Sequence, residues 1–159
     1  MNTIDLRLRE LGLKLPQMGK PLANYVPFVR TGNLVFVAGQ VPFVDGKIQV
    51  TGHLGGNVTL EQGIGQARQC AINILAQLHA ACDGDLSRVI RIVKLTGYVA
   101  CTADFGDHPK VINGASDLFV DVFGDAGRHA RAAVGVPSLP LKAAVEVDAI
   151  VEVSQPDAI

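Results

Sequence analysis

Arg131 sits near the start of ARAAVGV, a run otherwise made of alanine, valine and glycine. Further on, VEVDAIVEV sets Glu146, Asp148 and Glu152 at alternating positions. Between them runs an unbroken apolar row, Val145, Val147, Ala149, Val151 and Val153. A guanidinium holds a carboxylate through two parallel hydrogen bonds. A carboxylate can orient a water molecule and take its proton. The plain alternative is a solvated strand face and a surface arginine. On the first strand Ala132, Val134 and Val136 share one face, and Arg131, Ala133 and Gly135 share the other. The small residues leave room beside the guanidinium. A buried unpaired charge costs several kcal/mol, so an arginine in such a niche calls for an anionic partner. Glu146 meets Arg131 if the two strands form a hairpin across PSLPLK with odd residues facing even. A slip of one puts them on opposite faces, and the register stays open.

Other chemistry is weakly signalled. His53, His79, His108 and His129 form no H-x-H or H-E-x-x-H pair, so no metal site is expected. No G-x-S-x-G elbow, Walker loop or G-x-G-x-x-G fingerprint occurs. GHLGG reads as a loop needing positive φ rather than a phosphate cradle. Cys70, Cys82 and Cys101 lack C-x-x-C spacing and read as free thiols, with Cys70 as packing.

The positioning elements follow from periodicity. Residues 3–11 suit a short amphipathic helix capped by Thr3, and an arm with Pro16 and Pro21 follows. NLVFVAGQVP (33–42) reads as a strand apolar on both faces. VDGK is a hairpin turn, with KIQVTG as the returning strand. Thr59 and Gln62 make a capping box for a long helix with an apolar stripe from Leu60 to Leu78. Residues 89–101 read as a long strand and 109–123 as a second helix, stopped by Gly124. The last two strands complete an α+β domain, one mixed sheet with two helices on one face. Its other face needs a cover, and self-association is the simplest.

The 159 residues suit one domain with a substantial core. Hydrophobic residues make up 48% and charged residues 18%, which excludes a disordered chain. A formal charge of −1 gives no footprint for nucleic acid or an anionic membrane. No apolar run approaches the roughly 20 residues of a membrane span. MNTIDLRLRELGLKLP mixes charges among its apolar residues and does not read as a secretory signal, so a cytoplasmic location is expected.

Four segments resemble the Rid family, also called YjgF or "endoribonuclease L-PSP": NYVPFVRTGNLVFVAGQVP, TLEQGIGQARQCAINILAQL, KVINGASDLFVDVFG and ARAAVGVPSLPLKAAVEVDAIVEV. The last is the most specific, with its Arg, Leu-Pro and Glu at fixed spacing. The resemblance covers roughly residues 22–153 and divides the chain into an arm with a short helix (1–21) and a Rid-like domain (22–159). The arm and the longer loop before the second helix resemble a distinct subgroup. The resemblance implies a chorismate-mutase-like fold and a homotrimer with a cleft at each subunit interface. It implies hydrolysis of enamine and 2-imino acids to 2-oxo acids and ammonia, without metal or organic cofactor.

By position, Arg131 matches the arginine that clamps the substrate carboxylate, and Glu146 the glutamate that holds or activates water. Tyr25 matches the aromatic residue at the mouth, Gly39 a backbone position lining the cleft, and Asn113 an asparagine on the second helix. Two positions depart from many deaminating members: Ala133 stands where they have cysteine, and Ala38 where they have serine. The resulting apolar pocket leaves two alternatives beside deamination. One is a non-catalytic trimer binding a small carboxylate or other metabolite. The other is the ribonuclease or translation-inhibitor activity of the family label, which the near-neutral charge opposes. The expected partners are a small carboxylate and two further copies of the chain, with no nucleic acid or membrane.

Overall fold

The computed structural model describes residues 2–18 and 23–155. Pro21 and the boundary drawn between residues 21 and 22 lie outside the described residues.

The chain opens with α1 (Thr3–Glu10). Asn2, not Thr3, is its cap: the Asn2 side chain accepts from the Asp5 N–H, and Asp5 reaches back to the Asn2 N–H. The reciprocal box outcompetes a single hydroxyl because it satisfies two orphan donors. Leu8 and Leu11 then pack against the main core.

A five-stranded mixed sheet follows. In chain order its strands are β1 (Phe28–Thr31), β2 (Leu34–Gln40), β5 (Val89–Ala100), β6 (Ala130–Val136) and β7 (Val145–Val153). A separate two-stranded ladder contains β3 (Phe43–Val44) and β4 (Lys47–Ile48). The spatial order of the large sheet is β1-β2-β7-β5-β6. All its pairings are antiparallel except β5 with β6. The helices α2 (Leu60–Ala81) and α3 (His108–Phe123) pack against each other on one face. They meet closely at Gly114, where a Cβ would collide with the backbone carbonyl of Ile64.

Three sequence expectations change here. First, residues 28–31 form the edge strand β1, turning into β2 through Gly32 at φ 58°. Four residues without clean alternation carried too little signal to reveal it. Second, the Asp45-Gly46 turn is present, with both residues at positive φ, but KIQVTG contributes only Lys47–Ile48 and never enters the sheet. Third, the last two strands form no hairpin, because β5 lies between β6 and β7. The connection crosses over through a 3-10 turn at Pro140–Lys142, with Leu141 and Lys142 in the left-handed region.

The capping box of α2 forms as its sequence requires: Gln62 N–H donates to Thr59 Oγ1, and Thr59 N–H to Gln62 Oε1. The core lies between the helices and the inward residues of the sheet. Val35 and Val37, Leu95 and Val99, and the odd residues of β7 all face it. No described residue outside the sheet forms a layer over its opposite face. Phe36 keeps 41% of its surface exposed there, so β2 is apolar on both faces but buried on one. No helix among the described residues is long and apolar enough to cross a membrane.

Candidate functional site

Arg131 projects toward the helices. Its register partner on β5 is Leu95, whose own partner on β7 is the inward Ala149. Ala133 shares this face and packs against the core. The Arg131 Nη1 group donates to Asn113 Oδ1 at 2.8 Å and to Ser116 Oγ at 3.1 Å, both on α3. No carboxylate among the described residues pairs with it. Nε and Nη2, one edge of the fork, have no acceptor among the described residues. Because both observed partners are neutral, the guanidinium keeps its full charge for an incoming anion.

Ser116 and His129 escaped the sequence reading. The 2.9 Å contact between Ser116 Oγ and His129 Nε2 continues the Arg131 network, and His129 Nδ1 lies 2.6 Å from the Gly127 carbonyl oxygen. The signal available was the i, i+3 spacing of Asn113 and Ser116 on one helix face, two residues that can both reach a facing strand.

Glu146 lies elsewhere. Its register partner is Tyr98, and its flanking residues Val145 and Val147 are buried, so its side chain projects from the uncovered face. Arg131 and Glu146 therefore occupy opposite faces of one sheet. Glu146 is half-buried beside Gly39. Between Val37↔Ala149 and Gln40↔Val147 the β2–β7 register shifts, so Ala38 and Gly39 together oppose Asp148. This bulge turns Gly39 toward Glu146, the re-aiming that bulges provide. Burial, and then the Asp148 carboxylate, push the Glu146 carboxyl above its ordinary range. Asp148 accepts a hydrogen bond from the Tyr98 hydroxyl at 3.2 Å.

A Cβ at Gly39 would run into Glu146 Oε1. The obstacle is the tip of a flexible side chain, so Gly39→Ala is expected to fold with less than about 1 kcal/mol lost. Any activity that depends on the Glu146 pose should fall at least tenfold. Thermal melting together with the deamination assay described below checks both halves.

Tyr25 is 58% exposed on the segment leading into β1, at the far edge of the sheet from β6. Four strand spacings separate those edges, roughly 19 Å at about 4.8 Å each. One chain thus assembles two separate groups: Arg131, Asn113 and Ala133 beside α3, and Glu146 and Gly39 on the open face. Tyr25 stands apart from both.

Two further observations bear on chemistry. Cys101 Sγ lies 3.4 Å from His108 Nε2, a neighbour that sequence order did not reveal. Burial nevertheless raises the Cys101 pKa, which opposes thiolate formation. Among the described residues no three His, Cys, Asp or Glu side chains cluster to hold a metal ion.

Residues 5–153 match the family model described as "YjgF/chorismate mutase-like, putative endoribonuclease". The chain belongs to the YjgF/Rid family. Its α+β fold is the one that the family resemblance implied. A Trypanosoma cruzi protein named TCP17 is 48% identical over 152 residues, covering 95% of this chain and 94% of that protein. A 2-iminobutanoate/2-iminopropanoate deaminase of Dermatophagoides farinae is 26% identical over 140 residues, covering 87% and 93%. A solved structure from Agrobacterium tumefaciens, of unknown function, is 52% identical with a TM-score of 0.89, covering 96% of this chain and 94% of that one. A structure described as a putative endoribonuclease, from Shewanella oneidensis, is 38% identical with a TM-score of 0.91, covering 96% of this chain and 100% of that one.

Proposed function

We propose that three copies of this Rid-family chain assemble with their open sheet faces inward, and that each interface hydrolyses a 2-imino or enamine acid to a 2-oxo acid and ammonia. The observation that carries the reading is the Arg131 fork, with one edge tethered to neutral groups on α3 and the other edge free. That free edge matches a planar carboxylate. The relative named as an imine deaminase supplies the reaction class.

The division of the site within one chain supports assembly. Arg131 stands on the edge strand β6, whose outer rim is unpaired, while Glu146 and Gly39 occupy the uncovered face. Val29, Phe36 and Val134 are exposed on that same face. Burying them against other copies would remove apolar surface from water and bring one chain's Glu146 toward another's Arg131. Tyr25, at the opposite rim, would then close the mouth. The setting proposed is the cytoplasm, consistent with three free thiols.

In this cleft Arg131 would hold the substrate carboxylate and so place the C=N carbon. Asn113 and Ser116 would fix the guanidinium. Glu146 would take a proton from water as the oxygen attacks that electrophilic carbon. Attack on the protonated imine gives a neutral carbinolamine. Glu146 would return its proton to the nitrogen, the C–N bond would break to release ammonia, and the hydroxyl proton would pass to Glu146, leaving the 2-oxo acid. Proximity and one general base suffice for so reactive a group. Ala133 and Ala38 add no polar group, which suits an apolar substrate side chain.

The test is release of ammonia and 2-oxo acid from imino acids generated freshly by an amino-acid oxidase. Wild-type rates no higher than the spontaneous reaction, across several imino acids, would reject the enzyme. Saturable binding of 2-oxo acids without turnover would instead establish the non-catalytic binder, which Ala38 and Ala133 favour.

The pH profile carries a sign. Glu146 acts as base only when ionised, so kcat/KM falls as pH drops through its raised pKa. The acid limb should therefore sit above the ordinary carboxylate range. Asp148 is one of the two causes of the shift, so Asp148→Asn lowers the Glu146 pKa and moves the limb to lower pH. A limb that stays in place in Asp148→Asn would remove Glu146 from the assignment.

A further inference from the structure

The contacts behind Arg131 have a direction. A carbonyl only accepts, so His129 Nδ1, 2.6 Å from Gly127 O, carries a proton. In the neutral ring Nε2 is then an acceptor, and the Ser116 hydroxyl donates to it at 2.9 Å. Donating its hydrogen there leaves the Ser116 oxygen lone pairs for Arg131 Nη1 at 3.1 Å. The chain of bonds runs one way, from Arg131 through Ser116 and His129 to the backbone of the 3-10 turn Gly124–Gly127. Its last link is fixed in place. Gly127 is buried, and the His129 ring stands edge-on to Phe119, with centroids 6.3 Å apart and planes at 82°.

The charged surroundings favour the neutral ring. Burial lowers the His129 pKa most, and the nearby Arg131 charge lowers it further. Asp117 and Ser116 from α3, Arg128 from the segment after the 3-10 turn, and Arg131 from β6 line a shallow cavity of about 280 Å³ with His129. Arg128 is paired with Asp125 at 3.3 Å. With Arg128 offset by Asp125, Arg131 is the cation whose charge acts on the ring, and it disfavours a protonated His129.

We infer that Ser116 and His129 are positioning residues for carboxylate recognition: they hold one edge of the Arg131 fork with neutral acceptors and so present Nε and Nη2 at a fixed angle to the ligand. The inference rests on the carboxylate-clamp reading of Arg131. It adds that the angle is set two residues behind the ligand, on α3 and the turn before β6. An arginine freed from this relay would keep its charge but lose orientation, and a planar carboxylate would pay that ordering cost on binding.

The probe is 2-oxobutanoate, a stable 2-oxo acid, measured by calorimetry on the assembled protein. Ser116→Ala, which removes the charge-assisted bond from Arg131, and His129→Gln, which takes the imidazole acceptor from the Ser116 hydroxyl, are each expected to weaken it about tenfold. The double variant should be scarcely worse than either single one, because both cut the same chain. A second readout is the His129 pKa from imidazole chemical shifts. A bound carboxylate offsets the Arg131 charge, so the wild-type His129 pKa should rise on saturation, which reports that the ligand sits on Arg131. Ser116→Thr keeps the hydroxyl and should restore binding. Unchanged affinity in Ser116→Ala and His129→Gln, while Arg131→Ala abolishes binding, would overturn the relay and leave the clamp intact. No binding by the wild type would overturn both.

Discussion

Arg131→Ala is expected to cut kcat/KM for 2-imino acids by about 10²- to 10⁴-fold, measured as ammonia release at low substrate. Each hydrogen bond from a guanidinium to a carboxylate contributes about 1.5–3 kcal/mol, and the free edge of Arg131 offers two. At roughly 1.4 kcal/mol per tenfold, two bonds give that range. Most of the loss should appear in KM, because the carboxylate is bound before and during the reaction. Arg131→Lys is expected to recover about tenfold at most, since an ammonium presents no parallel pair of donors. The folded state should tolerate the change. Arg131 has no ion pair among the described residues, and its loss leaves only Asn113 and Ser116, both able to turn to water. A variant that melts like the wild type and turns over just as fast would remove the clamp from the mechanism.

The second large effect is recovery of activity by mixing two dead proteins. Glu146→Gln is expected to lose about 10²–10⁴ in kcat as the general base disappears. If each cleft takes Arg131 from one copy and Glu146 from the next, a mixed ring of Arg131→Ala and Glu146→Gln chains contains one junction where both residues are native. Random assembly of equal amounts into cyclic trimers puts roughly a quarter of all sites in that state. Co-expressed chains should therefore regain about 25% of wild-type activity, far above either parent. A cleft built within one chain would regain nothing. Light scattering on the same sample shows whether mixed trimers formed, which separates failure to mix from failure of the shared cleft.

The sequence disclosed the local elements more readily than their arrangement. The capping box at Thr59 and Gln62, the apolar stripe of α2 and the alternation of β7 are local patterns, and each forms where the residues require it. The family motifs placed the α+β fold. Pairing of β6 with β5 was hidden because it joins segments separated by all of α3, and no local preference selects a partner strand. The short link PSLPLK favours a hairpin on length alone. Left-handed Leu141 and Lys142 instead turn the chain into a crossover. The sequence singled out Arg131 and Glu146 but could not place them relative to each other, since their separation onto two faces follows from that crossover. Ser116 and His129 carry no motif. Their role emerges only when α3 lies beside β6 and the turn at Gly127 aims a carbonyl at the ring.

The central position of β7 has a consequence for biosynthesis. It pairs with β2 on one side and β5 on the other, yet it follows every other strand in the chain. During translation the β1–β2 and β5–β6 pairs must wait as separate halves, with only α2 and α3 to cover their inward valines and leucines, until β7 leaves the ribosome. A polypeptide released before Val145 would carry Arg131 but no keystone. Such fragments are the ones that quality-control proteases and holding chaperones would meet.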